Sequence, residues 1–166
     1  MKRRTWLAVA AALAVIPSYT AVGATPPTIT SLAGTSAIDD IDAALGAPVC
    51  RFPVALLFVA GPGTRLISFN GQGIGFGGLI TGPLTATVTN KTTGAHVTRK
   101  VSGPGFLATD GSGIPVRGTG SWLVLEPSLA GGLRLIRGSM TFELASYGLH
   151  AVLNGGVEEN LCEAID

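Results

Sequence analysis

Two histidines, two cysteines and ten carboxylates are the residues of this 166-residue chain with the widest chemical reach. A zinc site would need His96 and His150 brought to acids or thiolates at ligand spacing, and no HxH or HExxH string links them. Asp39, Asp40 and Asp42 carry enough charge for a hard cation such as Ca²⁺. They lack the loop spacing and downstream bidentate Glu of such a site, so they read as the solvated start of a helix. Nucleophilic serine chemistry lacks a GxSxG elbow, and Ser112 sits in the turn string Gly111-Ser112-Gly113. Glycoside hydrolysis needs two carboxylates about 5–9.5 Å apart beside a cleft. Asp110, Glu126 and Glu143 are the inner-chain acids available for it.

Gly73-Ile74-Gly75-Phe76-Gly77-Gly78 matches GxGxxG as a string. Dinucleotide binding also requires a following helix and an acid about 20 residues on. Here a strand-like stretch follows and position 98 is Thr. The cluster reads as a loop or a kinked strand, since glycines within strands need a geometric reason. Asn90-Lys91-Thr92 is an N-glycosylation string in an expected hairpin loop, and we expect it to stay unmodified. Arg99 shares a strand face with Val97 and Val101. If that face is the core, the guanidinium needs a partner, because an unpaired buried charge is expensive. Glu143 or Glu126 could supply one; the alternative is that this strand end is exposed and Arg99 snorkels out to solvent. Arg99, Glu143 and Glu126 thus form the candidate ligand-binding set, a polar contact in the mouth of a barrel. No catalytic residue, metal ligand or cofactor is expected.

The elements that would position these groups begin after residue 24. Lys2, Arg3 and Arg4 form a basic start, Leu7 to Ile16 is an unbroken apolar run, and Val22-Gly23-Ala24 offers small residues for cleavage. That is the layout of a secretory signal peptide. Ten apolar residues are too few for a membrane span, which takes roughly 20. Three of the 11 Lys and Arg residues lie in this segment, so eight face 10 acids beyond it and the expected exported domain carries −2. A mildly acidic domain without a basic run is a poor nucleic-acid binder. No membrane partner is expected after cleavage. In an exported chain the two cysteines, Cys50 and Cys162, are expected to form one disulfide.

Residues 25–49 are expected to be a flexible leader with one short helix over Ser36–Leu45, Ser36 being its N-cap, ended by Gly46 and Pro48. From residue 50 to 166 the pattern is β. Leu84 to Thr89 alternates apolar with Thr, the strongest strand signal in the chain. Further strands are expected at Phe52–Val59, Arg65–Phe69, Ala95–Val101, Phe106–Thr109, Val116–Gly120, Ser121–Glu126, Leu133–Arg137, Ser139–Ala145 and Leu149–Leu153. Trp122 to Leu125 is apolar on both faces and therefore central. Val157–Ile165 is a strand or one helical turn. Short strands at 8–12-residue spacing predict a single all-β domain, an antiparallel barrel of about eight strands, with a β-sandwich as the alternative. A Cys50–Cys162 bridge would make first and last strands neighbours, as barrel closure requires.

Cys50-Arg51-Phe52-Pro53-Val54, Thr81-Gly82-Pro83 with the alternating strand after it, Val101-Ser102-Gly103-Pro104-Gly105, Gly118-Thr119-Gly120-Ser121-Trp122-Leu123 and Asn160-Leu161-Cys162 follow a signal peptide in that order. The chain resembles, over about residues 50–162, a group of small secreted proteins of high-GC actinobacteria with no assigned function. The resemblance implies an extracellular β-domain and no catalytic residues. The expected function is therefore a secreted, non-enzymatic module that binds a small apolar ligand or serves a structural or cell-surface role. The alternative is a small barrel enzyme, of isomerase or cyclase type, with a polar pocket around Arg99. Only 6% of the residues are aromatic, which argues against a sugar-binding platform and against the aromatic girdles of a membrane barrel.

Overall fold

The computed structural model describes residues 28–69, 77–101, 105–109, 115–126, 132–145 and 148–166. Four chain segments each bend once and so contribute a strand to two sheets. They are β1 (Thr28–Ser31) with β2 (Gly34–Ile38), β3 (Val54–Ala60) with β4 (Arg65–Phe69), β5 (Gly77–Thr81) with β6 (Leu84–Asn90), and β7 (His96–Lys100) with β8 (Gly105–Thr109). The four-stranded sheet runs β2-β3-β6-β7, and the larger sheet begins β1-β4-β5-β8. The two orders match segment by segment, so one antiparallel sheet is creased along a corner. Hydrogen bonds stitch the crease: Leu32 N–H donates to Thr64 O at 3.0 Å, Gly61 N–H to Pro83 O at 2.8 Å, and the Thr64 hydroxyl to Pro83 O at 2.7 Å. At Gly82 (φ +98°) a Cβ would lie 2.6 Å from Thr64 Cα, so only glycine lets the corner close this tightly.

Three longer strands extend the larger sheet: β9 (Pro115–Leu125), β10 (Leu133–Ala145) and β11 (Gly148–Asn160), giving seven strands in the order β1-β4-β5-β8-β9-β10-β11. Two apolar clusters occupy its two faces. Leu123, Leu125, Leu133 and Leu135 meet Val54, Leu56, Phe58, Ala86 and Val88 of the small sheet in the main core. Trp122, Val124, Ile136, Met140 and Ala151 form the second cluster with Ile80. The stretch Trp122–Leu125 is thus buried on both faces, as its composition implies. In β6 the alternation predicts the observed pattern, with Leu84, Ala86 and Val88 buried and the threonines outside.

The fold is all-β in two sheets, and among the described residues neither sheet closes on itself. Strands β1 and β11 are the two ends of the larger sheet and β2 and β7 those of the smaller, so closure into the expected barrel is not seen and the β-sandwich alternative fits. The Cys50–Cys162 disulfide is present, but it joins the loop before β3 to a terminal helix, α2 (Leu161–Ala164), rather than two paired strands. It spans 112 residues.

Two further expectations change. Residues 28–38, expected within a flexible leader, supply β1 and β2 of both sheets. The short helix begins later than Ser36: α1 covers Ile41–Leu45, capped by Asp40, whose carboxylate accepts the Ala43 N–H, and ended by Gly46 in the left-handed region. The pairs of strands expected on either side of Gly120 and Gly138 are single strands. Gly138 faces Gly120 on one side and Gly156 on the other, and all three hold positive φ. This row of glycines bends three strands at one level instead of ending them. The Gly71–Gly78 cluster falls mostly outside the described residues, with Gly77 and Gly78 opening β5.

Candidate functional site

Arg99 and Glu126, the candidate residues with the strongest electrostatic demands, lie in separate networks. On β7 the side chain of Arg99 is half-buried and turned inward rather than out to solvent. Its partner is Glu159 on β11. Nε donates to both carboxylate oxygens at 2.9 Å and Nη2 to Oε1 at 2.5 Å. This pairing raises the Arg99 pKa and lowers that of Glu159, the direct hydrogen bonds being the main cause in both. The pair straps the outer strand of the small sheet to the end of β11. Neither Glu143 nor Glu126 contributes to it. Glu143 is exposed and stands across from His150 in the β10–β11 register.

Glu126 follows β9 and is only 2% exposed. Its carboxylate accepts from Arg134 Nη2 at 2.5 Å and from the Ala151 N–H at 2.6 Å, and His150 Nδ1 lies 3.1 Å away. Arg134 also donates to Ala151 O and to Glu158, both at 3.0 Å. The sequence explains the placement. Leu133 and Leu135 turn into the main core, so Arg134 and Ile136 turn to the other face. A β-bulge between Ser139 and Met140 then resets the β11 register, bringing Ala151 and Leu153 to that same face.

These contacts demand a strong bend. Ala151 pairs with Phe142, eight residues along β10 from Arg134, roughly 27 Å on a straight strand. The Arg134 guanidinium nevertheless touches it. The far end of the β10–β11 hairpin therefore folds back over the second cluster from the glycine row. Carboxylate and guanidinium take the Ala151 N–H and C=O as a neighbouring strand's C=O and N–H would. Arg134, Glu158 and Glu159 escaped as candidates, and His150, weighed for zinc with His96, instead meets Glu126. The alternation of Arg134 with buried leucines was the available signal, whereas a contact across a folded-back hairpin has no local one.

Chemistry around the other candidates is absorbed by the backbone. Asp40 caps α1, which lowers its pKa chiefly through the Ala43 N–H, and Asp42 accepts the Val49 N–H at 3.1 Å. Asn90 is 1% exposed. It donates from Nδ2 to Ile165 O, and its Oδ1 accepts from Thr92 and Thr93, so the acceptor amide of the glycosylation string is taken up in the interior while Lys91 and Thr92 stay exposed. His96 is exposed beside Gly94 O. Among the described residues no group of three or more His, Cys, Asp or Glu side chains is arranged to hold a metal. A crevice beside Trp122, Ile80, Val101 and Gly105, where β9 parts from the small sheet, has a volume of about 10 Å³, room for one water.

These features define a two-sheet, disulfide-linked β protein whose polar networks fasten strand edges. No family model, curated protein or solved structure matches the chain. Among the described residues no helix is long and apolar enough to cross a membrane.

Proposed function

We propose that the protein is an exported, non-enzymatic β-domain that holds a small apolar ligand on the second cluster, under the folded-back β10–β11 hairpin. The observation that carries this is the uneven burial of the two clusters. Among the described residues, the main core has 17 buried members and six half-buried ones packed against it. The second has six buried and five half-buried, namely Leu32, Leu66, Leu107, Phe142 and Leu153. Nearly half of the described members of that cluster are therefore only partly buried, and all five of those side chains are large and apolar. Half-buried apolar side chains gathered in one cluster are what a site for an apolar ligand offers. Export is supported by the basic-then-apolar start of the chain and by the disulfide.

A small enzyme around Arg99 has less support. Arg99 is taken up by Glu159, while Glu126 is held by Arg134 and His150.

The test is thermal melting of the protein, collected from an exporting host, against a panel of fatty acids and terpenoids. A ligand present at 100 times its Kd stabilises by about 2.7 kcal/mol. That corresponds to a Tm rise of roughly 8–12 °C for a domain of this size. Leu153→Lys should abolish the shift. A flat Tm across the panel overturns ligand binding and leaves a structural or cell-surface role.

A further inference from the structure

Residues 28–38 form the outermost strand of both sheets, β1 of the larger and β2 of the smaller. Among the described residues no strand pairs with their outer side. An open edge presents alternate N–H and C=O groups to any extended chain, and monomeric proteins usually block such edges with charge, proline or a covering element. The other edges of this molecule are blocked in that way. Strand β7 carries His96, Arg99 and Lys100, and Arg99 is tied across to β11. Strand β11 carries Glu158 and Glu159, and its Ala151 backbone groups are occupied by Glu126 and Arg134. Thr28 to Ile38 contains no charged residue and no proline.

Exposed apolar side chains gather at the same place. Of the five large ones exposed among the described residues, Ile29 lies on β1 and Leu57 and Val59 on β3, the neighbour of β2. Leu57 stands opposite Ala37 and Val59 opposite Thr35 on the outer face of the small sheet. The unguarded edge is therefore flanked by a neutral, apolar strip.

We infer that this edge is a homodimer interface, in which a second copy of the chain adds its own β2 antiparallel to the first about a two-fold axis. The two four-stranded sheets become one of eight strands. A second copy fits because the edge is self-complementary. Two identical antiparallel segments meet isologously, no like charges oppose one another, and the Ala37–Leu57–Val59 strips of both copies come together on one face. A partner of strong charge would find no counter-charge here. β2 has only five residues before the chain bends away at Gly34 and Ile38, so the buried area falls below the roughly 1,200 Å² of a stable complex and association is weak. This inference does not depend on ligand binding at the second cluster.

The test is sedimentation velocity on the exported protein between about 10 µM and 1 mM, the range suited to a small interface. The dimer fraction should rise across that range. Ala37→Lys, which places a charge beside its symmetry mate, should weaken dimerisation at least about tenfold, whereas Thr98→Lys on β7 should not. Hydrogen exchange of the wild type provides a readout independent of any variant's folding: the outward amides of β2 should become more protected as concentration rises. A wild type that stays monomeric up to 1 mM, a dimer as strong in Ala37→Lys, or β2 protection that ignores concentration each overturns the interface.

Discussion

Removing Arg134 should be among the most damaging single changes available at this protein's surface. Its side chain is 13% exposed, and it serves Glu126, Glu158 and the Ala151 carbonyl together. Arg134→Met keeps the apolar stem but leaves Glu126, 2% exposed, with only the Ala151 N–H and His150. Stripping one partner from a buried ion pair costs about 3–5 kcal/mol, because the remaining charge is neither solvated nor paired. We expect about 4 kcal/mol here, or a Tm drop of roughly 10–15 °C. Glu126→Gln should cost less, about 2 kcal/mol: its Oε1 can still accept the Ala151 N–H, and Arg134 retains Glu158. The double variant should be milder than the sum by at least about 1.5 kcal/mol, since the second change removes a group the first had already orphaned. Urea unfolding can be followed by Trp122, buried in the second cluster and the one Trp beyond the first 24 residues. An Arg134→Met cost under about 1 kcal/mol, or strict additivity in the cycle, would refute the claim that these side chains fasten the folded-back hairpin.

Four further outcomes are expected. At Gly138 (φ +143°) a Cβ would sit 1.9 Å from Gly155 O, so Gly138→Ala should cost more than about 3 kcal/mol or prevent folding, measured by circular dichroism. Gly94 (φ +78°), with nothing within 4 Å of an added Cβ, should lose only about 1 kcal/mol when changed to Ala. Replacing Cys50 and Cys162 together by Ala should cost about 5 kcal/mol in denaturant melts, the chain-entropy value for a closed loop of 112 residues. The lowered pKa of Glu159 makes the Arg99–Glu159 contribution complete above the ordinary carboxylate value of 4.5 and lost as pH falls below it through the folded value. Stability against pH should therefore be flatter below 4.5 in Glu159→Gln than in the wild type. The difference should stay under about 1 kcal/mol for a pair this accessible.

Strand identity was legible where alternation was local. The β6 threonines and the two-faced burial of Trp122–Leu125 follow from side-chain period alone, whereas period left Arg99 free to turn inward or to reach solvent. Strand continuity was not. Glycine at 120 and 138 reads as punctuation because isolated glycines usually end a strand. Their alignment with Gly156 across three strands, which turns three breaks into one bend, exists only once the register is known. The same holds for edge residues 28–38. Thr, Ser, Gly and Ala give weak β propensity, and their strand state comes from pairing with residues of β3 and β4 that lie 18 to 40 positions away. Partner identity failed for a related reason. Arg99 needed an acid, and the sequence offered several. Glu159 was selected by how β11 passes β7, a long-range consequence of the bulge and the glycine row.

With only 13% charged residues, the chain has few ion pairs to place, and their positions are informative. Arg99–Glu159 bridges β7 and β11, Arg134–Glu126 joins the start of β10 to the end of β9 and together they hold the Ala151 backbone of the folded-back half of β11, and Lys91–Asp40 links the β6–β7 loop to the start of α1. The first and third join segments that no strand pairing connects, and the second reaches such a segment through Ala151. A sheet system that bends sharply but does not close leaves such seams, and hydrophobic burial alone is too non-directional to set how far the layers roll. Side-chain pairs with fixed geometry can set it, because an Arg–carboxylate fork is satisfied only within a narrow range of distance and angle. The two seams at β11 are therefore coupled through one strand. Glu158 and Glu159 are adjacent, turn to opposite faces, and are gripped by Arg134 and Arg99 respectively. A shift of β11 along its axis strains both at once. On this physical ground the end of β11 is the part of the molecule whose position is most strongly specified, and the bare edge at β2, where no charge is spent, is the part left available to a partner.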